Sequence, residues 1–362
     1  MKRIVLSVTN DLVTDHRVHK VSTTLHKAGY RVLLVGRRFR NSPDLRREYE
    51  THRMRLFFNK TGLFYAEYNL RLFFFLLFVK ADIFLSNDTD TLPANYLASK
   101  LRKKALVFDA HEMFPEVPEL SHRPFVRSCW EKIEDWIIPH LKNCYTVCES
   151  IATIYNERYG INMRVVRNIP WASSDATHHI VLHQDGKKVL LYQGAVNTGR
   201  GVEWMIEAMP YLEDCLFYIA GKGDLLPVVQ QKIHEMKLED RVILLGQIPL
   251  ENLSSYTQAA DIGISLLANQ GLNYYYSLPN RIFDFIKAEV PVLATDFPEI
   301  NKIVSEYQIG TLTQEHDPVH LATLIKKMLK EEVNTEGFKR AKRELTWENE
   351  EKILLKVIEN LQ

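Results

Sequence analysis

The stretch Val189-Leu-Leu-Tyr-Gln-Gly-Ala-Val-Asn-Thr-Gly-Arg-Gly-Val-Glu-Trp-Met-Ile-Glu-Ala-Met-Pro-Tyr-Leu212 decides the fold class. It begins with a short apolar run, Val189–Gln193, passes through a glycine-bearing loop, and ends in a segment with helical spacing, Val202–Leu212. A buried strand followed by a glycine loop and a helix is the repeating unit of parallel sheets covered by helices on both faces. The stretch therefore predicts a doubly wound α/β domain.

The same alternation of short apolar runs and helical patterns extends in both directions along the chain. Its 362 residues are more than twice a domain of about 150 residues, so we expect two domains. The predicted strands are Arg3–Val8, Arg31–Val35, Ile83–Ser86, Ala105–Asp109, Tyr145–Cys148, Val189–Gln193, Leu216–Ala220, Val242–Leu245, Ile262–Leu266 and Val292–Thr295. The predicted helices include Arg17–Ala28, Val202–Leu212, Arg281–Ala288 and Trp347–Leu361. A polar, proline-bearing segment, Asn168–Asp175, marks the boundary between residues 1–170 and 171–345.

Composition excludes several classes of protein. Hydrophobic residues make up 46%, which argues against intrinsic disorder because each domain can bury a core. The charge nearly cancels overall, but residues 1–170 carry 27 basic and 18 acidic side chains, whereas residues 171–362 carry 19 and 27. The two halves are therefore electrostatically opposite, and a partner of one need not suit the other. The four cysteines show no metal-ligand spacing and are predicted to be buried thiols in a reducing cytoplasm.

The basic half also contains the longest apolar stretch, Leu70–Val79. Arg71 interrupts it, and it is shorter than the roughly 20 residues that span a bilayer. Residues 37–55, with seven arginines against three acids, lead into it. This arrangement has two interpretations, a face that docks on anionic lipid or a core helix preceded by a solvated basic loop. The expected location is the cytoplasm, with peripheral contact to the inner face of the membrane under the first interpretation.

The loops that follow the strands carry the candidate chemistry, because ligands of doubly wound sheets bind beyond the carboxyl ends of the strands. Two facing domains thus predict a cleft lined by these loops. The loop with Gly194, Gly199 and Arg200 precedes a helix and suits a phosphate, although a plain turn is an equal alternative. It matches neither the phosphate loop of ATPases nor the dinucleotide fingerprint. Further glycine loops, Ala220–Asp224 and Leu245–Pro249, favour a nucleotide pocket.

A helix beginning near Pro279 places Asn280, Asp284 and Ala288 on one face at four-residue spacing. A carboxylate one turn inside such a helix, facing a cleft, accepts hydrogen bonds from the two hydroxyls of a ribose. The alternative is a solvated aspartate on a helix surface.

In the first half, a predicted strand runs into Asp109, His111 and Glu112. The imidazole of His111 is suited to bind a substrate hydroxyl or take a proton while a carboxylate orients it, or it is a structural loop histidine. The pair Asp88 and Asp90 resembles the Asp-x-Asp pair that holds a metal in some sugar-nucleotide enzymes, but its position favours the start of a helix. Nor does the pair His178-His179 have companions at zinc-like spacing. No metal is required by these patterns.

Taken in order, these loops resemble retaining glycosyltransferases of the GT-B fold, of the group called glycosyltransferase family 4. The segments that carry the resemblance are Asp15–Val18, Phe108–Glu112, Val165–Pro170, Gln193-Gly194, Arg200–Glu203, Ala220–Gly223, Leu245-Gly246 and Ala260–Ile264. The resemblance implies two Rossmann-like domains and a C-terminal helix, within residues 346–362, that crosses back to the first domain. That helix has an apolar stripe that is buried or forms a dimer contact.

The resemblance also implies a function: transfer of a sugar from a nucleotide-sugar, UDP- or GDP-linked, to a glycan or lipid-linked acceptor, with retention of configuration and no essential metal or other cofactor. The catalytic residues that it implies are His111, which contacts the donor sugar, Arg200, which neutralises the diphosphate, and Asp284, which binds the ribose. The implied donor-binding residues are Gly194, Gly199, Arg200, Gly221, Gly223, Gln247, Ile248, Leu278, Pro279, Asn280, Arg281 and Asp284. The expected acceptor-side residues are Asn10, Asp11, Asp15, Arg17 and Glu112.

The sequence departs from the family pattern at two positions. Tyr276 stands where the family has the first of two paired acids, and Ala195 stands where it has an arginine. Two other functions therefore remain open, a GT-B sugar-nucleotide epimerase and a non-catalytic sugar-nucleotide-binding partner subunit. Nucleic-acid binding is not expected, because the basic half lacks a recognition helix or an RNA-binding aromatic motif.

Overall fold

The computed structural model describes residues 1–13, 15–117, 120, 122–172, 180–182 and 186–361, with the side chains of residues 250 and 251 left aside. The chain divides into two compact units, one formed by Met1–Asn168 with Asn349–Gln362 and the other by Ile169–Glu348. The His178-His179 pair and the end of the predicted boundary segment, residues 173–175, lie outside the described residues. The chain thus returns to the N-terminal unit in its last helix.

The N-terminal unit is built on a parallel sheet that has seven strands within the described ranges, in the order β3-β2-β1-β4-β5-β6-β7. The strands are β1 (Arg3–Asp11), β2 (Arg31–Arg37), β3 (Glu50–Met54), β4 (Ile83–Asn87), β5 (Ala105–Ala110), β6 (Cys144–Thr146) and β7 (Met163–Val165). The helices are α1 (His16–Lys27), α2 (Thr61–Phe78), α3 (Leu92–Arg102), α4 (Pro124–Ile137) and α5 (Glu149–Tyr159). The helices lie between consecutive strands, as the alternation predicts.

The C-terminal unit repeats this architecture on a parallel sheet of six strands, counted over the residues described, in the order β10-β9-β8-β11-β12-β13. Its strands are β8 (Lys188–Gln193), β9 (Cys215–Ala220), β10 (Val242–Gly246), β11 (Ile262–Ser265), β12 (Val292–Thr295) and β13 (Gly310–Thr313). Its helices are α6 (Val202–Ala208), α7 (Leu226–Glu235), α8 (Leu250–Gln258), α9 (Leu272–Tyr275), α10 (Asn280–Ala288), α11 (Pro298–Tyr307), α12 (Pro318–Met328) and α13 (Thr335–Glu344). The last helix, α14 (Trp347–Glu359), leads back to the N-terminal unit. The predicted α/β class with two doubly wound domains is confirmed.

Burial explains why the apolar runs form central strands. Every residue of β4, β9, β11 and β12 is buried, so these runs show no alternation between an inner and an outer face. Strand β8 pairs with β9 on one side and β11 on the other. The loops after these strands therefore begin at the same edge of the sheet.

The structure corrects several predicted boundaries. The helix predicted at Val202–Leu212 ends at Ala208 and continues as a 3-10 turn, because Pro210 has no N–H to donate to the preceding turn. Strand β3 was not predicted, since its residues Glu-Thr-His-Arg-Met are polar and it lies at the edge of the sheet. Among the cysteines, Cys129 is exposed, contrary to the prediction of buried thiols. The stripe of α14 is buried at Leu354, Val357 and Ile358.

Helix α2 contains the apolar stretch at Leu70–Val79 and presents apolar side chains on two faces. One stripe is buried and packs against the sheet: Phe64, Tyr68, Leu72 and Leu76. A second stripe at helical spacing is exposed: Leu63, Leu70, Phe74 and Phe78. The core interpretation thus accounts for only one of the two faces. Among the described residues, no helix is long and apolar enough to cross a membrane.

Candidate functional site

In the C-terminal unit, the glycine loops are tied together at the carboxyl edge of the sheet. The Gly194 N–H donates to the Ala220 carbonyl at 2.9 Å, and the Gly221 N–H donates to the Gly246 carbonyl at 2.7 Å. A Cβ on Gly221 would lie 1.8 Å from the Gly194 carbonyl oxygen. Glycine is therefore required at position 221 because two loops of the protein touch there. From the sequence alone, this glycine is explained by the close approach of a ligand.

Two arginines from distant parts of the chain lie near the glycine loop. Arg281, in the first turn of α10, is 7% exposed, and its Nη2 atom lies 3.4 Å from where a Cβ on Gly194 would be. Its guanidinium stacks over the ring of Tyr192 at 4.5 Å, while that of Arg200 stacks over Tyr274 at 4.6 Å. Burial lowers the pKa of Arg281, and the charge of Arg200 lowers it further. Two cations therefore lie close enough to repel each other, as in a site that holds an anion.

The guanidinium of Arg281 has unused hydrogen-bonding capacity. Its Nη1 atom is buried and has no hydrogen-bond partner among the described residues. A buried donor without a partner costs roughly 1–3 kcal/mol, so its retention suits a ligand that accepts the bond. Because an arginine side chain keeps its charge even when buried, an anion suits this position best.

Asp284, one turn further along α10, is held by the end of β8. The Gln193 side-chain amide donates to the Asp284 carboxylate at 2.8 Å, and the Gln193 amide oxygen accepts from the Thr257 hydroxyl at 2.8 Å. Asp284 remains partly exposed whereas Gln193 is buried. The arrangement fixes the orientation of a carboxylate at the edge of the sheet.

The remaining donor-side residues lie on the loops of this edge. Gly199 and Gly223 are packed against neighbouring segments: a Cβ would lie 2.7 Å from the Gln270 side chain and 2.2 Å from the Val196 carbonyl oxygen, respectively. Gln247 and Asn280 are exposed, and Ile248, Leu278 and Pro279 are half-buried. Helix α6 behind the glycine loop is short, with seven residues.

The two departures from the family pattern have visible surroundings. The Ala195 carbonyl accepts a hydrogen bond from the Tyr192 hydroxyl at 2.5 Å. The ring of Tyr192 in turn stacks on the guanidinium of Arg281, so Tyr192 links Ala195 to Arg281. Tyr276 packs edge-on against Tyr275, with ring centroids 5.0 Å apart. Sequence reasoning included Arg281 in the donor site, and the structure brings its guanidinium to the loop that lacks the family arginine.

In the N-terminal unit, a buried ion pair joins α1 to the end of β5. The Arg17 guanidinium donates to both oxygens of Asp109, at 2.7 and 3.1 Å, and to the Val166 carbonyl at 2.9 Å. Burial by itself raises the pKa of Asp109, but Arg17 and His111 outweigh it and lower the pKa to about 2. The guanidinium of Arg17 is thus occupied by groups of the protein itself.

His111 lies between two carboxylates. Its Nε2 atom is 3.0 Å from Asp109, one of the two carboxylates, with Glu112, expected to orient it, and its Nδ1 atom is 3.1 Å from Asp88. The His111 backbone N–H also donates to Asp88 at 2.7 Å. Burial opposes a charged ring, but Asp88 and Asp109 raise the pKa of His111 well above 6.5. The ring is therefore an imidazolium at neutral pH, held in one orientation.

Asp90, the other acid of the Asp-x-Asp pair, has a different environment. It is 6% exposed and accepts a hydrogen bond from the Thr9 hydroxyl. Burial and the neighbouring charge of Asp88 raise the pKa of Asp90 to about 8. Asp88 and Asp90 are thus engaged in separate contacts before α3, and the described residues contain no group of three or more His, Cys, Asp or Glu side chains suited to a metal.

A cavity of about 800 Å³ opens beside these acids. Its polar wall lies at the carboxyl ends of the strands and includes Asn10, Asp88, Asp90 and Glu112. Its apolar wall comes from α2, α4 and the connection between β5 and α4: Phe64, Tyr65, Phe114, Val117, Leu120, Phe125, Val126, Trp130 and Ile133. Arg37, Arg123 and Cys129 also line it. The cavity therefore has one polar and one apolar side.

The predicted acceptor-side residues divide between this cavity and structural contacts. Asn10 and Glu112 line the cavity. Asp11 pairs with Arg53 at 2.8 Å, and Asp15 caps α1 by accepting from the Val18 N–H at 3.0 Å. Sequence reasoning missed the contact of Asp88 with His111 and the place of Arg37 in the cavity. The strand-end position of Asp88 was a usable signal, whereas the position of Arg37 depends on the packing of α2.

Sequence profiles of known families match both halves of the chain. Residues 16–170 match the profile described as Glycosyltransferase Family 4, and residues 187–331 match Glycosyl transferases group 1. The chain belongs to glycosyltransferase family 4. Its order of loops and its two parallel sheets agree with this membership.

Curated relatives of this family 4 member match part of the chain. An alpha-D-kanosaminyltransferase of Streptomyces kanamyceticus is 26% identical over 149 residues, covering 40% of this chain and 37% of the relative. A chitobiosyldiphosphodolichol beta-mannosyltransferase of Dictyostelium discoideum is 29% identical over 125 residues, covering 34% and 24%. The match thus spans between a quarter and two-fifths of the length of these relatives.

Solved structures match this family 4 member over its whole length and show the GT-B fold. Sucrose-phosphate synthase of Thermosynechococcus elongatus superposes with a TM-score of 0.81 at 16% identity, covering 100% of this chain and 99% of the other. Anabaena Alr3699/HepE, solved in complex with UDP-glucose, superposes with a TM-score of 0.76 at 13% identity, covering 99% and 100%.

Proposed function

We propose that the protein transfers a sugar from a nucleoside diphosphate sugar to a glycan or lipid-linked acceptor, with retention of configuration. The C-terminal unit binds the donor and the N-terminal unit binds the acceptor. The observation that carries the proposal is the buried guanidinium of Arg281, which lies against Gly194 and close to Arg200 with a donor atom free for an anion. Family membership supports sugar transfer, and the complex of the Anabaena protein with UDP-glucose supports a UDP-linked donor, with GDP as the alternative.

The two arginines supply the charge that a leaving diphosphate requires. As the bond from the sugar to the phosphate breaks, negative charge accumulates on the phosphate oxygens, and preorganised cations stabilise that charge more than they stabilise the bound donor. Arg281 then replaces the arginine that the family has at position 195. Because guanidiniums pair with phosphate oxygens through two parallel bonds, the proposal needs no metal ion to hold the donor.

The carboxylate of Asp284 has the role of binding the ribose hydroxyls. Gln193 fixes one of its oxygens, and this keeps the carboxylate from rotating when a ribose binds. In the same proposal, the leaving phosphate accepts the proton of the acceptor hydroxyl on the face from which it departs. Both ring nitrogens of His111 face carboxylates of the protein, so His111 contributes a fixed positive charge in this proposal and donates no hydrogen bond to the sugar. Because the leaving phosphate takes the proton, a protein general base is not part of the mechanism.

Retention is the finer part of the proposal. The curated relatives carry both anomers in their names, alpha for the kanosaminyltransferase and beta for the mannosyltransferase. The proposal of retention rests on the likeness of the loop sequences to those of retaining enzymes. It also rests on the mechanism above, in which the leaving phosphate, and not a protein base, takes the proton of the acceptor.

Peripheral contact with an anionic membrane completes the proposal. The outer stripe of α2, defined as Leu63, Leu70, Phe74 and Phe78, is exposed and runs along one side of the helix. Basic side chains flank it in the sequence: Arg55, Lys60, Arg71 and Lys80. Apolar side chains that enter the acyl boundary and cations that face lipid phosphates together favour attachment to the inner face of the membrane.

The test of the donor site combines binding with turnover. We expect UDP or GDP to raise the melting temperature, since a ligand at 100 times its Kd adds about 2.7 kcal/mol of stability. Arg281→Lys and Arg200→Gln should weaken binding at least tenfold, while Arg340→Gln, an exposed ion-pair residue on α13, should not change it. No stabilisation by any nucleotide or nucleotide-sugar would overturn the proposal.

Turnover separates transfer from the two other functions. Transfer predicts a product whose new bond has the anomeric configuration of the donor, measured by the proton coupling constant at the anomeric carbon. Formation of an epimer from the donor alone would instead identify an epimerase. Donor binding without turnover across a panel of glycan and lipid-linked acceptors would identify a non-catalytic binding subunit.

A further inference from the structure

The residues that line the cavity of the N-terminal unit favour one class of acceptor over others. Its volume of about 800 Å³ lies toward the upper end of the roughly 300–1,000 Å³ typical of small-molecule sites. Its lining includes the polar side chains of Asn10, Asp88, Asp90 and Glu112 and a larger set of aromatic and aliphatic side chains from α2, α4 and the connection before α4. A ligand that fills this cavity therefore has a hydroxyl-bearing end and a hydrocarbon end.

The apolar wall continues to the protein surface. Phe125 in the first turn of α4 is 80% exposed, and its neighbour Val126 is 38% exposed, although both line the cavity. Deeper in the same wall, Phe64 and Trp130 are buried. An apolar path thus runs from the interior to the solvent, which suits a chain longer than the cavity itself.

Arg37 supplies a cation between the polar and apolar walls. Its guanidinium is sandwiched between the rings of Phe39, at 4.1 Å, and Phe64, at 4.3 Å. Its Nη1 atom lies 3.5 Å from the Asn59 carbonyl, and its Nε atom is buried without a hydrogen-bond partner among the described residues. A guanidinium held by two rings keeps its charge and its geometry, so it is preorganised for a phosphate oxygen.

The acids of the cavity do not cancel this positive charge. Asp88 is matched by the imidazolium of His111, and Asp109 behind it is matched by Arg17. Asp90 holds its proton at neutral pH, since burial and Asp88 raise its pKa to about 8. Apart from Glu112, the acids of the cavity are therefore protonated or matched by a cation, so a phosphate beside Arg37 does not face a cluster of free carboxylates.

We propose that the acceptor is a phosphate-linked lipid saccharide, bound with its hydroxyl end at Asp90 and Glu112, its phosphate at Arg37, and its hydrocarbon chain along Phe64 and Phe125. This inference rests on the proposed function and commits it to a lipid-linked acceptor instead of a free glycan. The aromatic wall selects the chain, and Arg37 selects the phosphate that joins the chain to the sugar.

The test uses farnesyl phosphate, below its micelle concentration, and the full-length protein without a donor. Cys129 lines the cavity and is exposed, whereas Cys144, Cys148 and Cys215 are buried. We expect farnesyl phosphate to slow modification of Cys129 by N-ethylmaleimide at least fivefold, measured by intact mass. Inorganic phosphate and farnesol at the same concentration should protect far less, because each offers only one of the two groups.

Two variants locate the binding groups. Phe125→Ser should weaken farnesyl phosphate binding on the order of tenfold, while Leu101→Ser, an exposed apolar position of α3 outside the cavity, should leave it unchanged. Arg37→Gln should remove the preference for farnesyl phosphate over farnesol. If Arg37→Gln does not fold, Arg37→Lys, which keeps the charge but not the planar guanidinium, should reduce that preference.

Equal protection by farnesol and farnesyl phosphate, or protection that Phe125→Ser does not reduce, would overturn the lipid-phosphate acceptor. Transfer to a free saccharide as efficient as to its lipid-linked form would overturn it as well. The donor proposal is tested separately, by measuring whether nucleotides bind to the protein and whether Arg281→Lys weakens that binding. The two proposals therefore fail in different measurements.

Discussion

The carboxylate of Asp88 contacts His111 twice, accepting from its backbone N–H at 2.7 Å and facing its Nδ1 atom at 3.1 Å. Asp88 adopts a left-handed backbone conformation, φ 60°, which brings its side chain back over the strand end. The contact with the backbone N–H positions His111, and the contact with the ring stabilises the charged form of the imidazole. The pair therefore makes His111 a permanent cation at neutral pH.

Replacing Asp88 with asparagine should lower the pKa of His111, because one of the two carboxylates that stabilise the imidazolium loses its charge. Asparagine tolerates the left-handed conformation, so the fold should remain. NMR titration of the ring measures the shift directly. Asp135→Asn, which removes an exposed carboxylate of α4, should leave the titration of His111 unchanged.

The same pair predicts a dependence of stability on pH. The pKa of His111 is raised in the folded state, so the stability that the charged ring contributes is complete below pH 6.5 and is lost as the pH rises through the folded pKa. In Asp88→Asn the loss should begin at the same pH, end at a lower pH and be smaller in total, because the folded pKa lies closer to the unfolded value. Urea denaturation from pH 6 to pH 9 compares the two proteins, and identical profiles would contradict a role for Asp88 in charging the ring.

Asp90 predicts a loss of stability with rising pH that begins at a lower pH than the loss from His111. Its pKa is raised from 3.8 to about 8, so between these values the folded protein retains a proton that the unfolded chain has lost. The free energy of unfolding should fall across this window relative to Asp90→Asn, by up to about 1.4 kcal/mol per pH unit, and level off above pH 8. If the difference between the two proteins is constant with pH, Asp90 is not a buried acid.

Gly221→Ala should destabilise the C-terminal unit by about 3 kcal/mol, because the new Cβ would lie 1.8 Å from the Gly194 carbonyl oxygen and the loops must separate. Nucleotide affinity should fall with it, since Arg281 lies against Gly194. Gly246→Ala is the matched control on the neighbouring loop: it meets no atom within 4 Å but has φ 67°, so strain alone should cost about 1 kcal/mol. Equal losses in the two variants would show that the loop contact is not tight.

Comparison of particular elements shows what the sequence can and cannot predict. Strand β12 begins and ends as predicted, because a buried apolar run between polar turns leaves little choice. Strands β3, β7 and β13, each at the edge of a sheet, were missed because an edge strand has one neighbour and needs no continuous apolar run. The edge strand β10 was predicted, because its sequence Val-Ile-Leu-Leu is apolar.

In the site, too, some features were predictable from the sequence and others were not. The candidate residues were found at the ends of predicted strands, because topology brings these ends to one edge of each sheet. The contacts of Arg17 with Asp109 and of Arg37 with Phe64 were not predictable, since each joins residues from different elements. Sequence reasoning therefore locates a site better than it assigns roles to the long side chains around it.

The outer stripe of α2 predicts binding to anionic membranes. The variant Phe74→Ser with Phe78→Ser should reduce flotation with phosphatidylserine vesicles severalfold, because two exposed aromatic rings no longer enter the acyl boundary. Lys60→Glu with Lys80→Glu should reduce it further and weaken its dependence on salt, at about 1 kcal/mol per basic residue near the surface. Leu101→Ser, an equally apolar exposed position on α3, is the control for nonspecific adhesion and should bind like the unmodified protein. Flotation that is unaffected by both pairs of changes, or reduced as much by Leu101→Ser, would contradict the membrane-facing role of the stripe.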